Sequence, residues 1–238
     1  MRVLVAGGTG ETGLRVVERL IERGHCVRVL SRCAVRAHDV LPRGVEVYEG
    51  DVRQPSSLTG LQAGVDVAIV ATGSRSYYGT NGGQAVDALG TKHLVEALAR
   101  VQQLVLLSAF GLDRHSVFLS TFSLALNHYF HWKREAERAV RESGVPYTIV
   151  RPVELRNRPA RGSALLNQER PLSLLRTVSR DTVADVLVRC CGEPSSMYKT
   201  FEVCETQGVT TGVVHQFLDM SIDTDRTFPS RTPLLGRP

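Results

Sequence analysis

The chain reads as an α/β fold: a doubly wound parallel sheet with a small C-terminal portion that forms a cleft. Three observations predict it. Short apolar runs recur along most of the 238 residues, stretches at helical spacing separate them, and most of the runs are apolar at every position. Strands covered on both faces by helices have that character. The first run, "RVLVAG", ends in glycine; Leu14, Val17, Leu20 and Ile21 then recur at helical spacing until Gly24, a C-terminal cap. "CVRVLSR" is the second strand, so the chain opens with a strand–helix–strand unit. "GVEVYEGDV" is a third strand, with a short helix at "PSSLTGLQ"; "GVDVAIVATG" is a fourth, with a helix from about Gln84 to Arg100. "QLVLLSAFG", a polar-faced helix over about His128 to Glu142, and "PYTIVRP" continue the alternation. From Glu154 to Leu175 the chain is rich in Arg, Pro and Asn. "SRDTVADVLVRCC" is then a helix capped by Ser179 or Asp181, and "KTFEVCE" is one more strand. The expected division is a domain over residues 1–206, with about 153–206 as the cleft wall, and a C-terminal extension over 207–238 that is flexible or docked on a partner.

Composition narrows the class. Hydrophobic residues make up 42% and charged residues 22%, ordinary for a protein with a sizeable core. No apolar run approaches the roughly 18 residues that span a bilayer. Glycines interrupt the N-terminal apolar stretch, so no secretory signal is expected. The formal charge of +5 suits an anionic ligand, but the Lys and Arg residues are scattered, and the densest basic run, "RNRPARG", lacks interleaved aromatics. Nucleic acid is therefore not the expected partner. Five cysteines, with no CxxC pair, and seven histidines without ligand spacing predict no metal site and a cytoplasmic or equivalent reducing compartment.

Gly7, Gly10 and Gly13 have the spacing GxxGxxG, and Gly8 adds another position without a Cβ. A tight strand-to-helix turn, backbone in contact with a pyrophosphate, and a helix packed close to a strand need such residues. The positive end of that helix then faces the phosphates. Because this loop follows a strand and opens a helix in the first unit, it predicts a dinucleotide site of the Rossmann type. An NAD site usually places Asp or Glu at the end of the second strand. Here "LSR" places Ser31 and Arg32 there, with no carboxylate nearby, and a guanidinium matches a 2′-phosphate. The expected cofactor is NADP, with NAD as the alternative.

Several segments in order, "VLVAGGTGETG", "EGDVRQPSSLTGLQAGVDVAIVATG", "LVLLSAFG", "WKREAERAVRESGVPYTIVRP", "SRDTVADVLV" and "KTFEV", resemble the atypical short-chain dehydrogenases. Within them the chain is most similar to the NAD(P)H-binding, NmrA-like group. That group holds biliverdin/flavin reductase-like enzymes and chloroplast and cyanobacterial assembly or tethering proteins. The resemblance implies that the loop Gly7, Gly8, Thr9, Gly10, Glu11, Thr12 and Gly13 binds the pyrophosphate. It implies Asp51 and Val52 by the adenine, and Ala71, Thr72, Gly73 and Ser108 along the cofactor. Lys133 would lie at the nicotinamide ribose and Pro152 over the nicotinamide. Glu11 departs from the arginine or aromatic of many relatives, and beside phosphates it must point outward.

"YFHWK" places Tyr129 four residues before Lys133, on one helix face. This resembles the YxxxK of classical short-chain dehydrogenases, in which the phenol gives a proton to a carbonyl oxygen. A nearby ammonium favours the phenolate, as that chemistry needs. Ser108 would hold the substrate carbonyl, so Ser108, Tyr129 and Lys133 form the candidate catalytic set. A second reading makes Tyr129 a core aromatic in the stripe Tyr129, Trp132, Ala136 and Val140, and pairs Lys133 with Glu137. His128 and His131 flank Tyr129 as cleft or surface residues; Tyr77 and Tyr78 stack on a flat ring or anchor their loop. Two functions follow: an NADP(H)-dependent oxidoreductase for a small or flat acceptor, or a non-catalytic NAD(P)H-binding scaffold, sensor or assembly factor whose protein partner engages the tail.

Overall fold

The computed structural model describes residues 1–74, 76, 79–113, 128–168, 176–207 and 213–223. Seven parallel strands are β1 (Arg2–Ala6), β2 (Cys26–Ser31), β3 (Glu46–Glu49), β4 (Val67–Val70), β5 (Gln103–Leu107), β6 (Tyr147–Pro152) and β10 (Lys199–Thr206). They lie in the order β3-β2-β1-β4-β5-β6-β10, and β8 (Ser163–Asn167) adds an antiparallel edge with Leu166 opposite Val203. The strand order reverses between β1 and β4. In an open α/β sheet, the crevice at the carboxyl ends beside that reversal is where ligands bind.

Side chains alternate across the sheet. Val3 and Val5 of β1 face α1 (Glu11–Glu22), with Val16, Val17 and Leu20, and α5 (Arg180–Cys190), with Val183 and Leu187. Leu4 and Ala6 face the other layer, where Leu94 of α3 (Gly90–Ala97) and Val140 of α4 (Tyr129–Glu142) are fully buried. Each such Leu or Val stabilises the fold by about 1.5–3 kcal/mol. Helix ends follow local chemistry: Gly24, at φ 76°, lets the amides of Gly24 and His25 reach the carbonyls of Ile21 and Leu20. Ser179 caps α5, its hydroxyl accepting from the Thr182 amide at 3.0 Å.

Several elements differ from expectation. The helix expected over about 84–100 is a π-helical turn, Gln84–Leu89, continued by α3. α2 (Ala34–Val40) was not legible because only Ala37 is buried. The polar stretch expected to form a cleft wall contains β8 and a separate parallel pair, β7 (Glu154–Arg156) with β9 (Thr177–Ser179), whose strands are too short to show a period. Residues 213–223, which the sequence assigns to an extension, pack on the same sheet. Phe217 of α6 (Val213–Leu218) is fully buried beside Phe201, and Asp223 accepts hydrogen bonds from Tyr147 Oη (2.8 Å) and Thr200 Oγ1 (2.7 Å). The five cysteines are thiols: Cys190, Cys191 and Cys204 are buried, Cys33 is half-buried and Cys26 is exposed, so burial explains three. Among the described residues no helix is long and apolar enough to cross a membrane.

Candidate dinucleotide site

A cavity of about 980 Å³ opens at the carboxyl ends of β1, β2 and β4, at the reversal of strand order. The loop between β1 and α1 lines it with Gly7, Thr9 and Gly10. Two glycines there are fixed by packing. A Cβ on Gly7, at φ 88°, would lie 2.6 Å from the Ala71 carbonyl oxygen, and one on Gly13 would lie 2.1 Å from that of Gly7. Gly8 abuts Val29 in the same way, so Gly8, Thr12 and Gly13 support the loop from behind. Gly10 is the N-cap of α1, and no side chain caps that helix, in contrast to Ser179 on α5. The first-turn amides of α1 are thereby left to an anion.

Ala71, Thr72, Gly73 and Ser74, following β4, form the opposite wall. The Thr72 hydroxyl is buried with no hydrogen-bond partner among the described residues. A buried hydroxyl in that state is unfavourable until something meets it. The uncapped helix, the orphaned hydroxyl and the loop without Cβ atoms together fit a dinucleotide phosphate.

At the β2–β3 end the lining is basic. Ser31, Arg32, Arg36 and Arg53 surround Asp51, and Arg32 Nη1 bonds Asn81 Oδ1 at 3.3 Å. Arg53 bonds both Asp51 oxygens from Nε at 3.0 Å and reaches Asn81 Oδ1 at 2.9 Å. The Arg53 guanidinium holds the Asp51 carboxyl below its usual range. Val52 lines the cavity and is wedged against Gly90, while its carbonyl meets His93 Nδ1 at 2.7 Å. Sequence reading missed Arg36, one helical turn beyond Arg32, and Arg53, beside Asp51. Glu11 points outward: it accepts from Asn157 Nδ2 at 2.9 Å and pairs with Arg180 at 2.9 Å.

The catalytic candidates Ser108, Tyr129 and Lys133 do not line the cavity, and each is engaged with other groups. Lys133 is buried with its Nζ 2.7 Å from Asp87 Oδ1, so its ion pair is with the π-helical turn rather than with Glu137. Burial alone would lower the Lys133 ammonium, but the Asp87 carboxylate outweighs it and holds the group above its ordinary value. Ser108 donates to Glu137 Oε1 at 2.6 Å, and Arg151 bonds both Glu137 oxygens at 2.8 and 2.7 Å. Arg141 adds a 3.0 Å contact to Glu137, and Asp113 pairs with Arg151. The Ser108 hydroxyl proton is therefore directed at Glu137.

Tyr129 is half-buried against Leu112 and Phe130, its ring centroid 6.0 Å from Lys133 Nζ. The buried face of α4 is Phe130, Lys133, Glu137 and Val140, with Ala136, and Trp132 covers Gly83. His128 and His131 are exposed, and neither they nor Pro152 line the cavity. Tyr77 and Tyr78 lie outside the described residues, and no group of metal-ligating side chains occurs among those described.

The NAD(P)H-binding family model matches residues 7–194. An uncharacterized chloroplastic protein of Arabidopsis thaliana is 33% identical over 217 residues, covering 85% of this chain and 76% of its own. Sanguinarine reductase of Eschscholzia californica is 27% identical, covering 66% and 71%. TIC 62 of Pisum sativum, a chloroplastic protein, is 29% identical over 63% of this chain and 32% of its own. Two solved structures share the fold. A putative NAD-dependent epimerase/dehydratase from Bacillus halodurans superposes with a TM-score of 0.76 at 22% identity, over 92% and 100% of the chains. A Veillonella parvula short-chain dehydrogenase/reductase in complex with NADP does so with 0.69 at 20%, over 86% and 94%. The chain belongs to the NAD(P)H-binding family, and its sheet order and glycine loop fit the atypical short-chain dehydrogenase, NmrA-like group.

Proposed function

We propose that the protein is an NADP(H)-dependent oxidoreductase acting on a small or flat acceptor. The observation that carries this reading is the basic end of the cavity. Arg32, Arg36 and Arg53 line it with one carboxylate, Asp51, which already pairs with Arg53. An unpaired acid that would suit a ribose 2′-hydroxyl is replaced by guanidiniums that suit a 2′-phosphate. The α1 amides and the Thr72 hydroxyl would hold the pyrophosphate region, Asp51 and Val52 the adenine, and Lys133 the nicotinamide ribose. A bound NADPH supplies a two-electron reducing equivalent at its nicotinamide.

The chain's own groups constrain what that equivalent reduces. The Ser108 proton is committed to Glu137, and the Lys133 charge is balanced by Asp87. The three-residue set for carbonyl reduction is therefore incomplete at Ser108, with Tyr129 as its candidate proton donor. A flavin-like or quinone-like ring, reduced without a proton from Tyr129, is the acceptor this arrangement supports. The likeness to sanguinarine reductase supports a reductase. A non-catalytic NADPH-binding scaffold is the second reading, supported by the likeness to TIC 62. The five thiols support a reducing compartment. Steady-state NADPH oxidation with flavin and quinone acceptors separates the two readings: the oxidoreductase turns over, whereas a protein that binds NADPH and oxidises none of it is the scaffold.

A further inference from the structure

A single buried carboxylate joins the cavity wall to the lysine behind it. Asp87 is 2% exposed, and its oxygens serve different partners. Oδ1 lies 2.7 Å from Lys133 Nζ, and Oδ2 accepts from the Ser74 amide at 3.2 Å. Ser74 lines the cavity, as does Val86, the residue before Asp87. Asp87 also sits in the π-helical turn Gln84–Leu89. Such turns are uncommon and concentrate at functional sites.

The other groups facing Lys133 cannot replace this carboxylate. On its own helix, Tyr129 and Glu137 lie nearby, and Glu137 is already bonded to Ser108, Arg141 and Arg151. From α3, Lys92 and Glu96 are exposed, and His93 is bonded to the Val52 carbonyl. From β6, Tyr147 bonds Asp223, and Arg151 is paired with Glu137 and Asp113; β5 has no ionisable side chain. Among the described residues, Asp87 is the counter-charge of Lys133.

Resting on the NADP(H) reading of the site, we propose that Asp87 is its positioning residue. It holds the Lys133 ammonium and the Ser74 loop on one carboxylate, so that lysine and loop meet the nicotinamide ribose as one charged, preorganised unit. Asp87→Asn keeps an acceptor for Ser74 and removes the charge. The buried lysine then loses its proton more readily as pH rises.

NADPH affinity, titrated by nicotinamide fluorescence from pH 7 to about 10, is expected to fall about tenfold or more in Asp87→Asn relative to the parent at the alkaline end. The same extra slope should be absent from the double variant Asp87→Asn/Lys133→Met. An Asp87→Asn protein whose affinity tracks the parent at every pH overturns the inference. The unliganded parent gives an independent measurement. By lysine side-chain NMR, Lys133 should stay charged through the ordinary lysine range around 10.5; loss of its charge within that range overturns the role of Asp87. A parent that binds no NADPH while Lys133 stays charged overturns the cofactor reading and, with it, the positioning of a ribose.

Discussion

At the scale of single residues, Arg53, Lys133 and Arg151 each have a carboxylate partner. Arg32 and Arg36 are the two cations of the basic end that make no ion pair among the described residues, whereas Arg53 is tied to Asp51. Replacing Arg32 and Arg36 by serine should reduce the preference for NADPH over NADH by about 10–100-fold, as loss of charge-assisted hydrogen bonds of about 1.5–3 kcal/mol requires; Kd values for both dinucleotides check it. Ser108 should behave as a support for Glu137. Ser108→Ala should lower stability by about 1 kcal/mol in a denaturant titration and leave NADPH turnover within a few-fold of the parent. A loss of a hundredfold or more in turnover would return Ser108 to the substrate. Sequence made Arg32 legible because it directly follows a strand. Asp87 was not legible, since its partners Ser74 and Lys133 lie 13 and 46 positions away and only the fold brings them together.

At the scale of elements, apolar strands and glycine stops were readable because burial on both faces leaves few residue types available. The seven parallel strands follow from runs such as "VLVA" and "LVLL", with Val3, Leu4, Val5, Leu104 and Val105 all fully buried. Helix α4 shows the limit of pattern reading. Its inward face includes Lys133 and Glu137, two charges that periodicity assigns to solvent and that the buried partners Asp87 and Arg151 hold inside. Strand β10 has a similar device. Burial would raise the Glu205 carboxyl, but hydrogen bonds from Thr182 Oγ1 (2.7 Å) and the Ser179 amide (3.0 Å), with Arg158, hold it at about 2 against the ordinary 4.5. A depressed folded-state value stabilises the fold above the unfolded value and ceases to do so as pH falls. Stability should therefore decline between about pH 4.5 and 2, and Glu205→Gln should lack a contribution on the order of 1 kcal/mol, allowing for solvent screening. Urea titrations of both proteins across that range check it.

At the scale of the molecule, the sheet's reversal of order, the uncapped α1 and the basic end converge on one cavity. The C-terminal stretch contributes from elsewhere. Phe217 and Asp223 anchor it to the starts of β6 and β10, whereas the cavity lies at the carboxyl ends of the strands. Sequence could not place this stretch because one buried aromatic and one aspartate carry no period. The proposed NADP site needs a dinucleotide whose 2′-phosphate reaches that basic end. Calorimetric titration of the full chain with NADPH and with NADH tests it most directly. Saturable binding of both at one site per chain is expected, with NADPH tighter by about tenfold or more. Equal affinities, tighter NADH, or no binding of either would contradict it.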